Sequence, residues 1–172
     1  METKTEVWLR GSKTPGLAPQ LQPAADALLQ TKEEIRSILE GFPEALLWER
    51  PAGLAAVGFH LKHIAGVLDR LLTYAEGAML SEAQFIYLKS ETVVDNSTIK
   101  ELLEVLENAI DTAIDRYKKF EAGTLTEERK VGRAGLPATV FGLCFHAAEH
   151  TMRHLGQLLV TVKVLRTRHD QA

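Results

Sequence analysis

The sequence is poor in the features that mark several protein classes. Its 172 residues include one cysteine, Cys144, so no internal disulfide can form, which favours a reducing compartment. A formal charge of −3 and a pI near 6.1 show no basic excess, which argues against duplex nucleic acid as a partner. The longest stretch without acidic or basic side chains, Ala134 to Ala148, is too short to span a bilayer. No membrane partner is expected.

Several sequence motifs are also missing. The first residues, Met1 to Glu6, lack the basic start and apolar centre of a secretory signal, so a cytoplasmic protein is expected. There is no glycine-rich phosphate loop, nucleophile elbow or paired Cys-x-x-Cys unit. Glu149, which directly precedes His150, is in the wrong position for a His-Glu-x-x-His protease.

What is present is the composition of one folded domain over residues 1–172, with 45% hydrophobic and 25% charged residues. Apolar residues recur at helical spacing in four segments. Thr98 followed by Glu101 matches a capping box at the start of the third, and Pro137 favours the start of the fourth. The four predicted helices run from about Pro23 to Gly41, 54 to 75, 98 to 123 and 137 to 168.

The connections complete the predicted architecture. Residues 77–96 form a connection too long for neighbouring antiparallel helices, with room for one short helix, so a crossover between helices two and three is expected. Residues 1–18 read as an extended arm packed on the bundle. No convincing strand is predicted, the only short candidate being Arg129 to Arg133. The sequence therefore predicts an all-α four-helix bundle with a long crossover.

Five of the six histidines fall in two clusters, one on helix two and one on helix four. Residues four apart share a helix face, so neighbouring members of the helix-four row can direct imidazole nitrogens to one ion. The outer two of that row lie about 12 Å apart along the axis, so all three cannot bind the same ion. One helix should supply a pair of ligands and the other the third. The clusters are His60 and His63 on helix two, and His146, His150 and His154 on helix four.

The spacing leaves alternatives open. His150 belongs to either pair, with His154 or His146, and periodicity slightly favours His60 over His63 as the third ligand. Without a metal, each buried imidazole nitrogen left unpaired would cost about 1–3 kcal/mol. A divalent metal site is therefore the preferred interpretation.

Nearby polar residues carry weaker hypotheses. Glu149 is either an orienting group for a histidine or a solvated carboxylate, and the second is preferred. Gln157 returns to the histidine face and suits either a hydrogen bond at the site or ordinary packing. Arg70 could bind an anionic substrate or form a surface ion pair, and the second interpretation is preferred. Cys144 lies in an apolar pattern that is typical of a buried thiol.

The chain resembles the DinB/YfiT-like family of metal-dependent enzymes, which is distinct from the DNA polymerase of similar name. The resemblance covers most of the chain and is carried by His60-Leu61-Lys62-His63-Ile64-Ala65 and by Glu149 to Gln157. It implies metal ligands at His63, His150 and His154, overriding the preference for His60 and making His146 a supporting or packing residue. Leu155 stands where many relatives carry arginine.

The resemblance also implies a function. Relatives hold nickel, zinc or another divalent metal, are often homodimers, and include thiol-dependent transferases and isomerases. A divalent-metal-dependent transferase or hydrolase of a small molecule, possessing a three-histidine site and using a low-molecular-weight thiol or water, is therefore expected. The alternatives are a non-catalytic metal-binding or stress-response bundle, and a helical dimerisation module with incidental histidines.

Overall fold

The structure, a computed structural model, describes residues 5–11 and 13–171. Its architecture is helical, which confirms the predicted all-α class. Four long helices correspond to the four predicted, and a short helix lies in the connection between the second and third of them. The helices are α1 (Gln22–Leu39), α2 (Val57–Ala75), α3 (Glu82–Ser90), α4 (Ile99–Tyr117) and α5 (Val140–Asp170).

The core lies where the long helices meet. α2 packs against both α4 and α5, and α1 packs against the same two helices. Each of the four long helices contributes fully buried apolar side chains, such as Leu28 of α1, Leu68 of α2, Ile110 of α4 and Leu158 of α5. Burying a large aliphatic side chain stabilises the fold by about 1.5–3 kcal/mol, so this shared core fixes α2 against α5. That contact places the two histidine clusters face to face.

Helix ends follow their local chemistry. Thr98 accepts a hydrogen bond from the Glu101 backbone and Glu101 caps Thr98 in return, so the predicted capping box is confirmed. α3 begins with a second capping box, between Ser81 and Gln84. The third long helix ends earlier than predicted, at Tyr117 rather than near Gly123.

A small hairpin replaces the predicted start of the last helix. β1 (Glu128–Val131) pairs antiparallel with β2 (Leu136–Thr139), so the prediction that no strand was convincing is corrected, and the weak candidate at 129–133 overlaps β1. Positive φ angles at Gly132 and Gly135 allow the chain to reverse. Pro137 lies in β2 because a two-stranded edge does not require its missing N–H. α5 begins three residues later, capped by Thr139.

The start of the predicted arm contacts α1. Residues 7–10 form a 3₁₀ turn in which Val7 is buried and donates its backbone N–H to Gln30 Oε1 at 2.8 Å. The arm prediction at residues 1–4 and 12 falls outside the described residues. Across the part of the chain that is described, no helix has the length and hydropathy needed to cross a membrane.

Candidate metal centre

Three partly buried histidines from two helices converge between α2 and α5. His63 of α2 and both His150 and His154 of α5 each offer one ring nitrogen, and these nitrogens lie within 4.8 Å of one another. Nε2 of His63 lies 3.0 Å from Nε2 of His150. The four-residue spacing places His150 and His154 on one face of α5, with ring centroids 4.6 Å apart and ring planes tilted by 51°. Such a group could hold a metal ion.

His60 lies beside this cluster and contacts one of its members. Its Nδ1 is 3.0 Å from Nδ1 of His154, and its side chain is only 2% exposed. One of these two nitrogens donates to the other. The bond does not involve Nε2 of His154. His60 therefore supports His154 directly.

His146 lies one turn before His150 and outside the cluster. Its ring is about half exposed, and its Nδ1 lies 3.2 Å from Oε2 of Glu149. Glu149 also pairs with Arg153 on the next turn, at the helix surface. The structure thus places this carboxylate in surface ion pairs rather than against the three clustered histidines.

A buried ion pair supports His63 from the side away from the cluster. Glu91, 1% exposed, places Oε2 2.7 Å from Nδ1 of His63 and accepts a hydrogen bond at Oε1 from Nη1 of Arg70 at 2.6 Å. A carboxylate that accepts from Nδ1–H fixes the tautomer in which Nε2 carries the free lone pair. The surface ion pair expected for Arg70 is instead a buried one, because Arg70 is 7% exposed.

Gly66 makes this contact possible. A Cβ atom at that position would lie 2.3 Å from Oε1 of Glu91 and 2.6 Å from Nη1 of Arg70. Any larger residue would therefore push the carboxylate away from α2. Sequence reasoning missed Glu91, because it follows α3 in the connection between α2 and α4 and no local pattern links it to a histidine 28 residues earlier.

Comparison with known families identifies the superfamily of the chain. A family model described as the DinB superfamily matches residues 27–158. The chain belongs to the DinB superfamily. The matched region contains every histidine of the cluster and also Glu91. No curated protein matches the sequence.

A solved structure shares the fold of this chain. The crystal structure of a protein from Streptococcus pneumoniae, determined by the Northeast Structural Genomics Consortium, aligns with a TM-score of 0.64. The alignment covers 94% of this chain and 97% of that chain, at 15% sequence identity. At this identity the similarity shows the shared fold alone.

Burial favours the neutral form of three of these imidazoles, those of His60, His150 and His154. Desolvation, reinforced by the neighbouring His63, lowers the pKa of His154 to about 3 and that of His60 to about 4. The pKa of His150 is lowered as well, again mainly by burial. Rings with such pKa values are neutral at pH 7, so their lone pairs are available for a cation.

Three further residues singled out in the sequence lie outside the cluster. Gln157 is exposed and lines a cavity of about 610 Å³ together with His60 and Arg153. Leu155, which departs from the arginine of many relatives, is 2% exposed and belongs to the hydrophobic core. Cys144 is buried as expected, and burial raises the pKa of its thiol to about 12.

Proposed function

We propose that this DinB-superfamily protein binds a divalent metal ion through His63, His150 and His154 and catalyses a reaction of a small molecule there. The convergence of three imidazole nitrogens within 4.8 Å carries the proposal. Two nitrogens that each lie about 2.1 Å from one ion are themselves about 3.0–3.4 Å apart. The 3.0 Å between Nε2 of His63 and Nε2 of His150 fits that range.

The donor set fits a borderline transition-metal ion. Neutral imidazoles suit zinc, nickel, copper, iron and cobalt, and we expect nickel or zinc. The contact of Glu91 with Nδ1 of His63 leaves Nε2 of His63 for the ion, and we propose that Nδ1 of His154 donates to Nδ1 of His60, which leaves Nε2 of His154 as well. Supporting hydrogen bonds of this kind orient most metal-binding histidines.

We propose thiol transfer as the reaction, with hydrolysis by water as its alternative. A three-nitrogen metal site keeps coordination positions open and lowers the pKa of a thiol or water bound there. In the transfer, the thiol releases its proton to water and its sulfur forms a bond to the electrophilic carbon. The leaving group departs with the electron pair of the bond that breaks. The chain contributes three oriented imidazoles, and Glu91 holds His63 in the required tautomer.

Metal content tests the binding step. Protein purified without a histidine tag should contain close to one equivalent of nickel or zinc by plasma mass spectrometry, and His150→Ala should lose it. His146→Ala is the matched control, because His146 lies one turn away on α5 but outside the cluster. Equal metal content in both variants would contradict the assignment.

Turnover separates catalysis from simple metal binding. With a low-molecular-weight thiol and a chromogenic aryl halide, the metal-loaded protein should form the thioether faster than the His150→Ala variant does. A protein that holds its metal but shows neither thiol-dependent nor hydrolytic turnover would instead be a non-catalytic metal-binding bundle.

We further propose a cytoplasmic homodimer. The buried, unpaired thiol of Cys144 suits a reducing compartment. On α5, Phe141 and Phe145 stack on each other while 40% and 57% exposed, an apolar surface suited to a second copy. Sedimentation analysis should give twice the 19.1 kDa chain mass, and Phe145→Glu should shift the protein to the monomer.

A further inference from the structure

A cavity of about 270 Å³ lies beside the three-histidine cluster. The two share Phe59, whose ring stacks on His63 with centroids 5.1 Å apart and an interplanar angle of 14°. The same ring lies 6.2 Å from that of His154. Phe59 is therefore a common wall of the cavity and of the candidate metal centre. Trp48, Ala55, Ala56 and Val94 complete most of the apolar lining.

The Trp48 wall is held by close packing. The six-membered ring of Trp48 lies against Gly58, where a Cβ atom would be 2.8 Å from Cη2. Nζ of Lys62 lies 5.1 Å from the centroid of the Trp48 ring, at cation–π distance. The indole is thus fixed in a single position beside α2.

The segment between α3 and α4, which forms another wall of the cavity, is hydrogen-bonded to the same lysine. Nζ of Lys62 contacts Oδ2 of Asp95 at 2.5 Å and donates to the carbonyl of Val93 at 3.3 Å, and the lysine itself is 7% exposed. These bonds hold the segment that supplies Thr92 and Val94 to the cavity. The cavity is therefore preformed, as small-molecule sites commonly are.

One charged side chain indicates which ligand the cavity would accept. Arg50, which is exposed, lines the cavity, and bonds from its Nε and Nη2 to the carbonyls of Leu54 and Gly53 position its guanidinium. A fixed guanidinium favours an anionic group such as a carboxylate.

We propose that this cavity binds the aromatic part of a small aromatic carboxylate substrate next to the metal centre. The Trp48 and Phe59 rings supply stacking surfaces, and the volume suits a single ring. Arg50 contacts the carboxylate. This proposal rests on the proposed function in one respect, namely that the bound molecule reacts at the three histidines.

Benzoate titration of metal-free protein tests the cavity alone. Trp8, which is 63% exposed, is replaced by phenylalanine so that Trp48 is the only tryptophan, and its emission is excited selectively at the red edge of the tryptophan absorption. Benzoate should change the emission with saturation, and benzyl alcohol, which lacks the charge, should bind at least fivefold more weakly. Val94→Phe should weaken benzoate binding at least tenfold by filling the cavity.

Val93→Phe is the matched control for this titration. Val93 and Val94 are adjacent and similarly exposed, at 54% and 65%, but only Val94 lines the cavity. The control should bind benzoate within twofold of the parent. Emission that does not saturate, or equal weakening in both variants, would overturn the proposal.

Paramagnetic relaxation tests the proximity of the metal. Benzoate protons should relax faster with Co²⁺-loaded protein than with protein holding diamagnetic Zn²⁺, and His150→Ala should abolish the difference while benzoate still binds. Equal relaxation in protein that holds Co²⁺ would overturn the link between cavity and metal. Failure to bind any metal would refute the proposed function, while the benzoate titration would still decide the cavity.

Discussion

Oε2 of Glu91 lies 2.7 Å from Nδ1 of His63, although 28 residues separate them along the chain. The contact depends on two further buried groups. Arg70 neutralises the carboxylate, and Gly66 leaves room for it against α2. Glu91, in the connection between α2 and α4, therefore determines which nitrogen of His63 faces the cluster.

Replacing Glu91 should weaken the metal site without touching its ligands. Glu91→Gln removes the negative charge that makes His63 a stronger donor, and we expect zinc affinity to fall about 10–100-fold. Competition with a chromophoric zinc chelator measures the change. Loss of one partner also leaves Arg70 buried and unpaired, so the free energy of unfolding should fall by up to about 3–5 kcal/mol.

Glu149→Gln is the control for that experiment. Glu149 also contacts a histidine, His146 at 3.2 Å, but both lie outside the cluster. The zinc affinity of the Glu149→Gln variant should stay within twofold of that of the parent. If the two glutamine variants bound zinc equally well, Glu91 would have no part in positioning His63.

Removing the metal should lower the thermal stability. A ligand present at about 100 times its Kd stabilises the folded state by about 2.7 kcal/mol, and for a chain of this size that corresponds to about 5–11 °C in Tm. Adding a chelator should therefore lower the Tm of the zinc-loaded parent by this amount and leave His150→Ala unchanged. An identical Tm with and without chelator would favour a dry helical module with incidental histidines.

The sequence predicted the α5 part of the histidine cluster better than the α2 part. His150 and His154 follow from their four-residue spacing, because a helix repeats its face at that interval. Periodicity alone favoured His60 over His63, and the structure shows why the choice was difficult. Both lie on the same face of α2, where His60 contacts His154 and His63 lies within 3.0 Å of His150. The difference depends on how α2 is rotated in the core, which local spacing does not encode.

Contacts between distant segments account for what sequence reasoning missed. Glu91 reaches His63 only because the connection between α2 and α4 packs against Gly66. Pro137 suggested a helix start, whereas pairing of Lys130 with Pro137 places it in a hairpin. In both places a partner elsewhere in the chain overrode the local signal.

Lowering the pH should destabilise the metal-free protein already at pH values above those at which carboxylates titrate. The pKa values of His60 and His154, about 4 and about 3 in the folded state, lie below their ordinary value of 6.5. The unfolded chain therefore binds more protons as the pH falls below 6.5, and stability decreases continuously towards pH 3. Urea unfolding in chelator should show a lower free energy of unfolding at pH 5 than at pH 7.

A substitution identifies the histidine contribution to that pH dependence. His60→Gln keeps a polar side chain but removes one titrating ring, so its stability should change less between pH 7 and pH 5 than that of the parent. Carboxylates, with ordinary pKa values near 4, contribute little in this interval. A free energy of unfolding that stayed constant or rose towards pH 5 would contradict the lowered histidine pKa values.

Two helical glycines should respond oppositely to alanine. At Gly156 of α5 an added Cβ atom would point into open space among the described residues, so Gly156→Ala should raise the free energy of unfolding by about 0.5–1 kcal/mol through helix propensity. Gly66→Ala would place its methyl group 2.3 Å from Oε1 of Glu91, so the buried ion pair must shift. We expect Gly66→Ala to lower both stability and zinc affinity, measured by urea unfolding and chelator competition. Similar zinc affinity in the two variants would show that Glu91 can move without disturbing His63, and would separate the ion pair from the metal centre.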